Sequence, residues 1–168
     1  MEWLTAWRIV DKVPGWLDEP EAKLLFDSVK EVPVDADIAE VGTAHGKSGT
    51  VILLAGREFS TVDTEPQISF LPGANIMTGK STKMAERFGL EKLGLLFIDA
   101  SHEYQDVKDD ISAWFSRVRV GGTILFHDYQ SWPGVTKAVD EAIASGLIEK
   151  VSQERSMLKT KRRELPAL

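Results

Sequence analysis

Short apolar runs alternate along the chain with segments whose apolar residues recur at helical spacing. The runs predict strands at 38–41, 59–63, 74–78, 93–99 and 123–126. Two more runs near the C-terminus predict an antiparallel hairpin, at 147–152 and 157–162. Strands that alternate with helices and end in a hairpin indicate an α/β fold, with a Rossmann-like, doubly wound sheet.

Two of the predicted helices have clear signals. Asp18 can cap a helix, and Glu21 stands three residues later, as in a capping box. A longer amphipathic helix is predicted from Val107 onward, with Asp109 and Asp110 expected on its solvent face. The segment 64–73 contains two prolines, so a helix there is expected to be short or absent.

The length of 168 residues and a hydrophobic content of 43% predict one domain with its own core, spanning 1–168. Residues 1–17 form an aromatic N-terminal segment that is too short to fold alone. Two interpretations remain open for it: a helix that covers the sheet edge, or a lid or contact of a homodimer.

The net charge of −6 argues against nucleic acid and against an anionic membrane as the main partner. The basic residues at 159–163 are expected on a solvated strand face. The absence of cysteine excludes disulfides, thiolate catalysis and cysteine-ligated zinc. No signal segment and no long apolar span is recognisable, so we expect a cytoplasmic location.

A turn with two glycines follows the strand at 38–41 and reads G-T-A-H-G-K-S at 42–48. Glycine has no Cβ, so the backbone can bend at positive φ and approach a ligand closely. A strand, such a turn and an apolar helix in that order predict a nucleotide-binding turn. The predicted contacts in this region are Glu40, Gly42, Thr43, Ala44, His45, Gly46 and Ser48.

Three kinds of ligand compete for this turn. A dinucleotide fingerprint requires G-x-G-x-x-G, whereas Lys47 stands where the third glycine would be. A phosphate-binding loop requires one more residue between the glycines, and Glu40 would bring negative charge toward a polyphosphate. The strand that ends in Asp99 nevertheless looks like the magnesium-holding strand of such proteins, so a P-loop-like NTPase stays an alternative.

The third candidate has a ribose and an adenine but no phosphate. Asp63 ends the second strand about 20 residues after the first glycine, where doubly wound folds hydrogen-bond ribose hydroxyls. We therefore expect Asp63 and the neighbouring Thr64 in the site. S-adenosylmethionine fits, because its amino and sulfonium groups tolerate carboxylates and its carboxylate can face amides at a helix start.

At these residues the sequence resembles the class I S-adenosylmethionine-dependent methyltransferases, whose first motif is an acid followed by G-x-x-x-G. Within them it is similar to the small O-methyltransferase-like branch, of the methyltransferase family 24 type. The resemblance covers about 18–162 and implies the strand order 3-2-1-4-5-7-6 and methyl transfer to a hydroxyl of a small molecule. It also places the turn at Gly79, Lys80 and Ser81 over the adenine ring; the alternative is a helix start capped by Ser81.

Acids and histidines follow the fourth and fifth predicted strands and are candidates for the chemistry. Asp99 and His102 follow one strand, and His127 and Asp128 follow the next. Parallel strands end at the same edge of a sheet, where ligands bind. Methyl transfer needs a group that removes the proton of the acceptor, and histidine does so near neutral pH. The predicted catalytic residues are His102, His127 and Asp99, and Asp99 is also expected to contact the cofactor.

The resemblance further implies a divalent metal ion, because related O-methyltransferases hold magnesium with carboxylates at these two strand ends. Asp99 and Asp128 match those positions, and His127 replaces an oxygen ligand, which suits manganese, iron or zinc better than Mg²⁺. The predicted metal ligands are thus Asp99, His127 and Asp128. In the metal-free alternative, Asp99 orients His102, which takes the proton directly. A cofactor-binding module without catalysis, which acts through a partner, is the remaining alternative.

Overall fold

Seven strands and six α-helices alternate along residues 1–164, the part of the chain that the computed structural model describes. The strands are β1 Asp37–Val41, β2 Phe59–Asp63, β3 Ala74–Thr78, β4 Leu93–Ile98, β5 Val118–Phe126, β6 Ile148–Glu154 and β7 Met157–Arg162. The helices are α1 Trp3–Val10, α2 Glu19–Lys30, α3 Lys47–Leu54, α4 Ser81–Met84, α5 Tyr104–Phe115 and α6 Pro133–Ala144, and a 3₁₀ turn at Ala85–Arg87 extends α4.

The strands form one sheet in the order β3-β2-β1-β4-β5-β7-β6. β7 runs antiparallel to both β5 and β6, whereas the other neighbours are parallel. The predicted doubly wound sheet, its strand order and its terminal hairpin are therefore confirmed.

Helices cover the sheet on both faces, so the core has two halves. Ile38 and Phe97 pack with α1, α2 and α3 on one face, whereas Ala39 and Leu96 pack with α5 and α6 on the other. All six residues of β4 are buried, as expected of a central parallel strand. The helices cover the two faces of the sheet and leave the carboxyl ends of the strands open.

The N-terminal segment packs on helices rather than at the sheet edge. Trp3 stacks on Trp7 and meets Phe26 of α2 edge-on, while Ala6 and Val10 are fully buried. The predicted capping box of α2 is present. After α1, residues 14–17 run past the carboxyl ends of the strands.

Two local predictions differ from the structure. The strand predicted at 123–126 is longer and begins at Val118, and Gly121, with a φ of +73°, lies in the irregular part of β5 where its pairing with β4 shifts. Lys159 is buried and pairs with Glu31 at 2.7 Å, so the solvated position expected for it is wrong. The absence of a helix at 64–73 is confirmed.

Among residues 1–164, no helix has the length and apolar character needed to cross a lipid bilayer.

Candidate functional site

A cleft of about 930 Å³ opens at the carboxyl ends of the central strands. It lies where the strand order reverses between β1 and β4, which is where open α/β sheets bind ligands. Most of the predicted site residues line it: Gly42, Thr43, Ala44, His45, Ser48, Asp63, Thr64, Gly79, Lys80, Ser81, Asp99, His102, His127 and Asp128.

The glycine turn at 42–48 forms one wall of the cleft. Gly42 has a φ of +103°, and a Cβ built on it would lie 1.9 Å from the carbonyl oxygen of Asp99. Only glycine fits between the ends of β1 and β4 at this point. Gly46 also has a positive φ, of +77°, and forms the N-cap of α3.

Asp63 holds this turn in place from the end of β2. Its Oδ2 accepts the backbone N–H groups of Thr43 and Ala44 at 2.9 and 3.0 Å, and its Oδ1 accepts that of Glu65 at 2.9 Å. The carboxylate is half-buried and also lines the cleft. It is therefore available to a ligand while it stabilises the loop.

Glu40 and Gly46 are the two predicted residues that lie behind the turn and outside the cleft lining. Glu40 has 0% exposure, and its carboxyl accepts hydrogen bonds from Ser48 Oγ at 2.5 Å and Thr61 Oγ1 at 2.7 Å. A Cβ on Gly46 would meet Ile68. Burial raises the pKa of Glu40 to about 8 despite these hydrogen bonds. Glu40, the acid of the motif, therefore stabilises the glycine turn from the protein interior through its hydrogen bond with Ser48.

The buried position of Glu40 predicts a pH dependence of stability. Between its ordinary pKa of 4.5 and about 8, the folded protein holds a proton that the unfolded chain releases. The free energy of unfolding should therefore fall as pH rises through this window, and Glu40→Gln should flatten the decline by at least about 1.4 kcal/mol, the equivalent of one pKa unit. Urea unfolding of the wild type and of Glu40→Gln across this pH range measures the difference. An equal dependence of unfolding free energy on pH in the two proteins would contradict the raised pKa of Glu40.

The glycine turn carries a lysine and a serine that a phosphate-binding loop would direct at a nucleotide and its metal ion. Lys47 Nζ instead lies 3.4 Å from the carbonyl oxygen of Gly15 and 5.7 Å from the centre of the Trp7 ring. Ser48 donates its hydroxyl to Glu40. Both side chains are engaged by the protein, so the geometry does not favour the NTPase alternative.

The turn after β3 closes the far end of the cleft. Lys80 is the N-cap of α4 and makes no side-chain cap, so the alternative in which Ser81 caps the helix is wrong. Ser81 is the first helical residue, and its Oγ accepts the indole N–H of Trp114 at 2.7 Å. Gly79, Lys80 and Ser81 all line the cleft, as the adenine assignment requires.

Asp110 lines the cleft beside Ser81 and was not predicted as a site residue. It is only 6% exposed, so its expected position on the solvent face of α5 is wrong. Burial raises its pKa to about 6. Helical periodicity could have placed it correctly, because it lies three residues after the buried Val107 and four before the buried Trp114.

His127 is buried at the end of β5 among three carboxylates. Its Nε2 lies 3.2 Å from Glu21 Oε2, within hydrogen-bond geometry. Its Nδ1 lies 3.2 Å from Asp99 Oδ1 and 3.3 Å from Asp128 Oδ2, but it makes no hydrogen bond with either. Burial opposes protonation, yet the three acids outweigh it and raise the pKa of His127 to about 12.

His102 lies at the mouth of the cleft and is held on two sides. Its Nε2 is 2.8 Å from Asp128 Oδ2, and its ring stacks on Trp132 with centroids 4.5 Å apart. The prediction that Asp99 orients this histidine is wrong, because Asp128 occupies that role. Asp128 thus contacts two of the three histidines that line the cleft, His102 and His127.

The donor set at the end of β4 and β5 suits a divalent cation. Asp99, His127 and Asp128 can each offer one ligand atom, and these atoms lie within 4.8 Å of one another. The unbonded, buried Nδ1 of His127 is the atom that a metal ion would engage. The three predicted ligands therefore come together in the structure.

Comparisons with known proteins agree with this geometry. A profile of the family described as "Methyltransferase domain" matches residues 39–129, a span that holds every predicted site residue. The uncharacterized protein R132 of Acanthamoeba polyphaga mimivirus is 40% identical over 55 residues, which cover 31% of this chain and 25% of that protein. The chain thus matches only a quarter of that relative's length.

Two solved structures illustrate the shared fold. The O-methyltransferase from Bacillus cereus, in complex with SAH, has a TM-score of 0.69 at 13% identity, with 96% of this chain and 90% of that chain covered. MycE from the mycinamycin biosynthetic pathway, in complex with Mg and SAH, has a TM-score of 0.71 at 15% identity, with 97% and 55% covered. Because the profile spans more than half of the chain, the family resemblance is confirmed: this protein belongs to the methyltransferase domain family.

Proposed function

We propose that this protein transfers a methyl group from S-adenosylmethionine to a hydroxyl oxygen of a small molecule. The observation that carries the proposal is the cleft at the switch point, which is lined by the Gly42 turn and by Asp99, His102 and Asp128. Fold relatives solved with SAH, one of them with Mg, support it. One catalytic domain would carry this function, the predicted domain 1–168, of which residues 165–168 lie outside the described part of the chain.

The cofactor would lie along the cleft in one orientation. Asp63 suits the ribose hydroxyls, and the turn at Gly79 and Ser81 suits the adenine. The backbone N–H groups of the first turn of α3, which have no acceptor within the helix, suit the carboxylate of the methionine part. With the cofactor so held, Asp99, His102 and His127 would be the residues available to the reacting methyl group and its acceptor.

The acceptor would bind between the methyl group and the aromatic rim. Trp16 is 85% exposed and borders the cleft with Trp132, so two indole side chains are available to a small acceptor. His102 is held by Asp128 and can take the hydroxyl proton as the methyl group transfers. Alignment of the nucleophile with the methyl carbon supplies the rest of the rate enhancement.

A divalent ion at Asp99, His127 and Asp128 is part of the proposal, because the donor set fits one. Bound there, the ion would lower the pKa of the acceptor hydroxyl. The net charge of −6 supports a small-molecule partner over nucleic acid or an anionic membrane. Exposed Leu4 and Ile9 of α1 are candidate contacts of a homodimer.

Calorimetry with S-adenosylmethionine, SAH and ATP tests the cofactor. We expect the first two to bind and ATP not to bind, because Lys47 and Ser48 are engaged elsewhere. Tight binding of ATP alone would overturn the proposed function. A screen of phenolic and sugar hydroxyl compounds, with SAH release as the readout, identifies the acceptor.

Asp63→Ala should weaken SAH binding by about 1.5 to 3 kcal/mol, the value of a hydrogen bond to a charged group. It should also lower stability, because the amides of Thr43 and Ala44 lose their acceptor. Asp63→Asn is the matched control, since it keeps one oxygen for the loop and removes the charge. If Asp63→Ala lowers stability but leaves SAH affinity unchanged, Asp63 serves the loop alone.

A further inference from the structure

The two ring nitrogens of His127 face different surroundings. Nε2 meets a single carboxylate, that of Glu21, in hydrogen-bond geometry. Nδ1 is buried, has no hydrogen-bond partner and lies beside the carboxylates of Asp99 and Asp128. The ring is therefore oriented from one side, with its second nitrogen directed at the candidate metal ligands.

Glu21 is itself fixed on every side. It is 3% exposed, and its Oε1 accepts both the backbone N–H and the hydroxyl of Ser156, at 3.0 and 2.6 Å. Its Oε2 accepts the backbone N–H of Asp18 at 3.2 Å and faces His127. The carboxylate reaching His127 is thus held by the start of α2 and by the β6–β7 turn.

We propose that Glu21 is a positioning residue that makes His127 a nitrogen ligand of the metal site. Glu21 accepts the Nε2–H and fixes the ring, so that a metal ion that displaced the Nδ1 proton would meet the lone pair of Nδ1 beside Asp99 and Asp128. Metal-bound histidines are commonly oriented in this way by a carboxylate on the other nitrogen. This inference rests on the metal site of the proposed function.

The same arrangement determines which ion the site prefers. One imidazole nitrogen with two carboxylates suits Mn²⁺ or another transition metal, whereas an all-oxygen set suits Mg²⁺. Without Glu21 the imidazole is free to carry its proton on Nδ1 or to rotate, and the nitrogen ligand is lost. Removal of Glu21 should therefore affect Mn²⁺ more than Mg²⁺.

Electron paramagnetic resonance of Mn²⁺ added to the cofactor-free protein of 168 residues tests this. Spin-echo modulation should report a directly coordinated ¹⁴N in the wild type and none in His127→Asn. Glu21→Ala should lose the nitrogen signal and weaken Mn²⁺ binding by about 10- to 100-fold, with a smaller change for Mg²⁺. Ser156→Ala, which removes a contact of Glu21 without touching His127, should retain the signal.

Glu21 also caps α2, so Glu21→Gln is the second variant if the alanine variant does not fold. Its neutral amide is a weaker acceptor for the Nε2–H, and Mn²⁺ affinity should fall by about tenfold. A nitrogen signal and an Mn²⁺ affinity unchanged in the folded Glu21 variant would overturn the inference. Wild-type protein that binds SAH but no Mn²⁺ would overturn it together with the metal site, and leave the methyltransferase proposal intact.

Discussion

Gly42→Ala is expected to abolish cofactor binding and to lower the free energy of unfolding by about 4 kcal/mol, the sum of backbone strain and overpacking. The new Cβ would lie 1.9 Å from the carbonyl oxygen of Asp99 and 2.6 Å from its carbonyl carbon. Both contacts are with backbone at the end of β4, which cannot move without separating β4 from β1. Urea unfolding and SAH calorimetry measure the two effects.

Gly56→Ala is the matched control. Gly56 has a similar φ, of +94°, but a Cβ there would meet no atom within 4 Å. Gly56→Ala should lower the free energy of unfolding only by the cost of a left-handed alanine, about 1 to 2 kcal/mol. Its affinity for SAH should stay unchanged. Equal losses in the two variants would show that backbone strain, and not the contact with Asp99, accounts for the effect at Gly42.

His102→Ala should lower kcat by about a thousandfold, within the range of general-base catalysis, and leave SAH affinity unchanged. The imidazole lies at the mouth of the cleft, bonded to Asp128 and stacked on Trp132, in a position to receive the acceptor proton. Steady-state kinetics with an acceptor from the screen, together with SAH calorimetry, give the two quantities.

Chelation separates this role from that of the metal ion. If His102→Ala retains its rate while EDTA abolishes wild-type activity, the ion would lower the pKa of the hydroxyl enough for solvent water to take the proton without His102. If EDTA has no effect and the variant is inactive, His102 carries the reaction without a metal. A loss of SAH affinity in His102→Ala would instead indicate that the variant perturbs the cleft as a whole.

The fold was predictable because its determinants are local and periodic. Apolar runs of strand length, the glycine turn and the capping box at Asp18 each have a signal within a few residues. Asp110 was misplaced although its spacing from Val107 and Trp114 assigned it to the buried face. The general expectation that acidic side chains face water is wrong for Asp110, and the helical periodicity is the better guide at this position.

The partners within the site were less predictable, because they depend on conformations and contacts without a local signal. Asp128 takes a left-handed φ of +61°, and its carboxylate reaches His102 in place of Asp99. Glu21 has a complete local explanation as part of the capping box. Its contact with His127, 106 residues away in sequence, depends on tertiary packing alone.

The contact of Glu21 with His127 affects how the metal preference can change within the family. Glu21, which contacts His127, and Ser156, which bonds to Glu21, both lie outside the matched span of 39–129. Substitutions at Glu21 can therefore alter the metal preference while every motif of the shared span stays the same. Two relatives with identical strand-end residues could then use different ions, and a search restricted to the family motifs would not distinguish them.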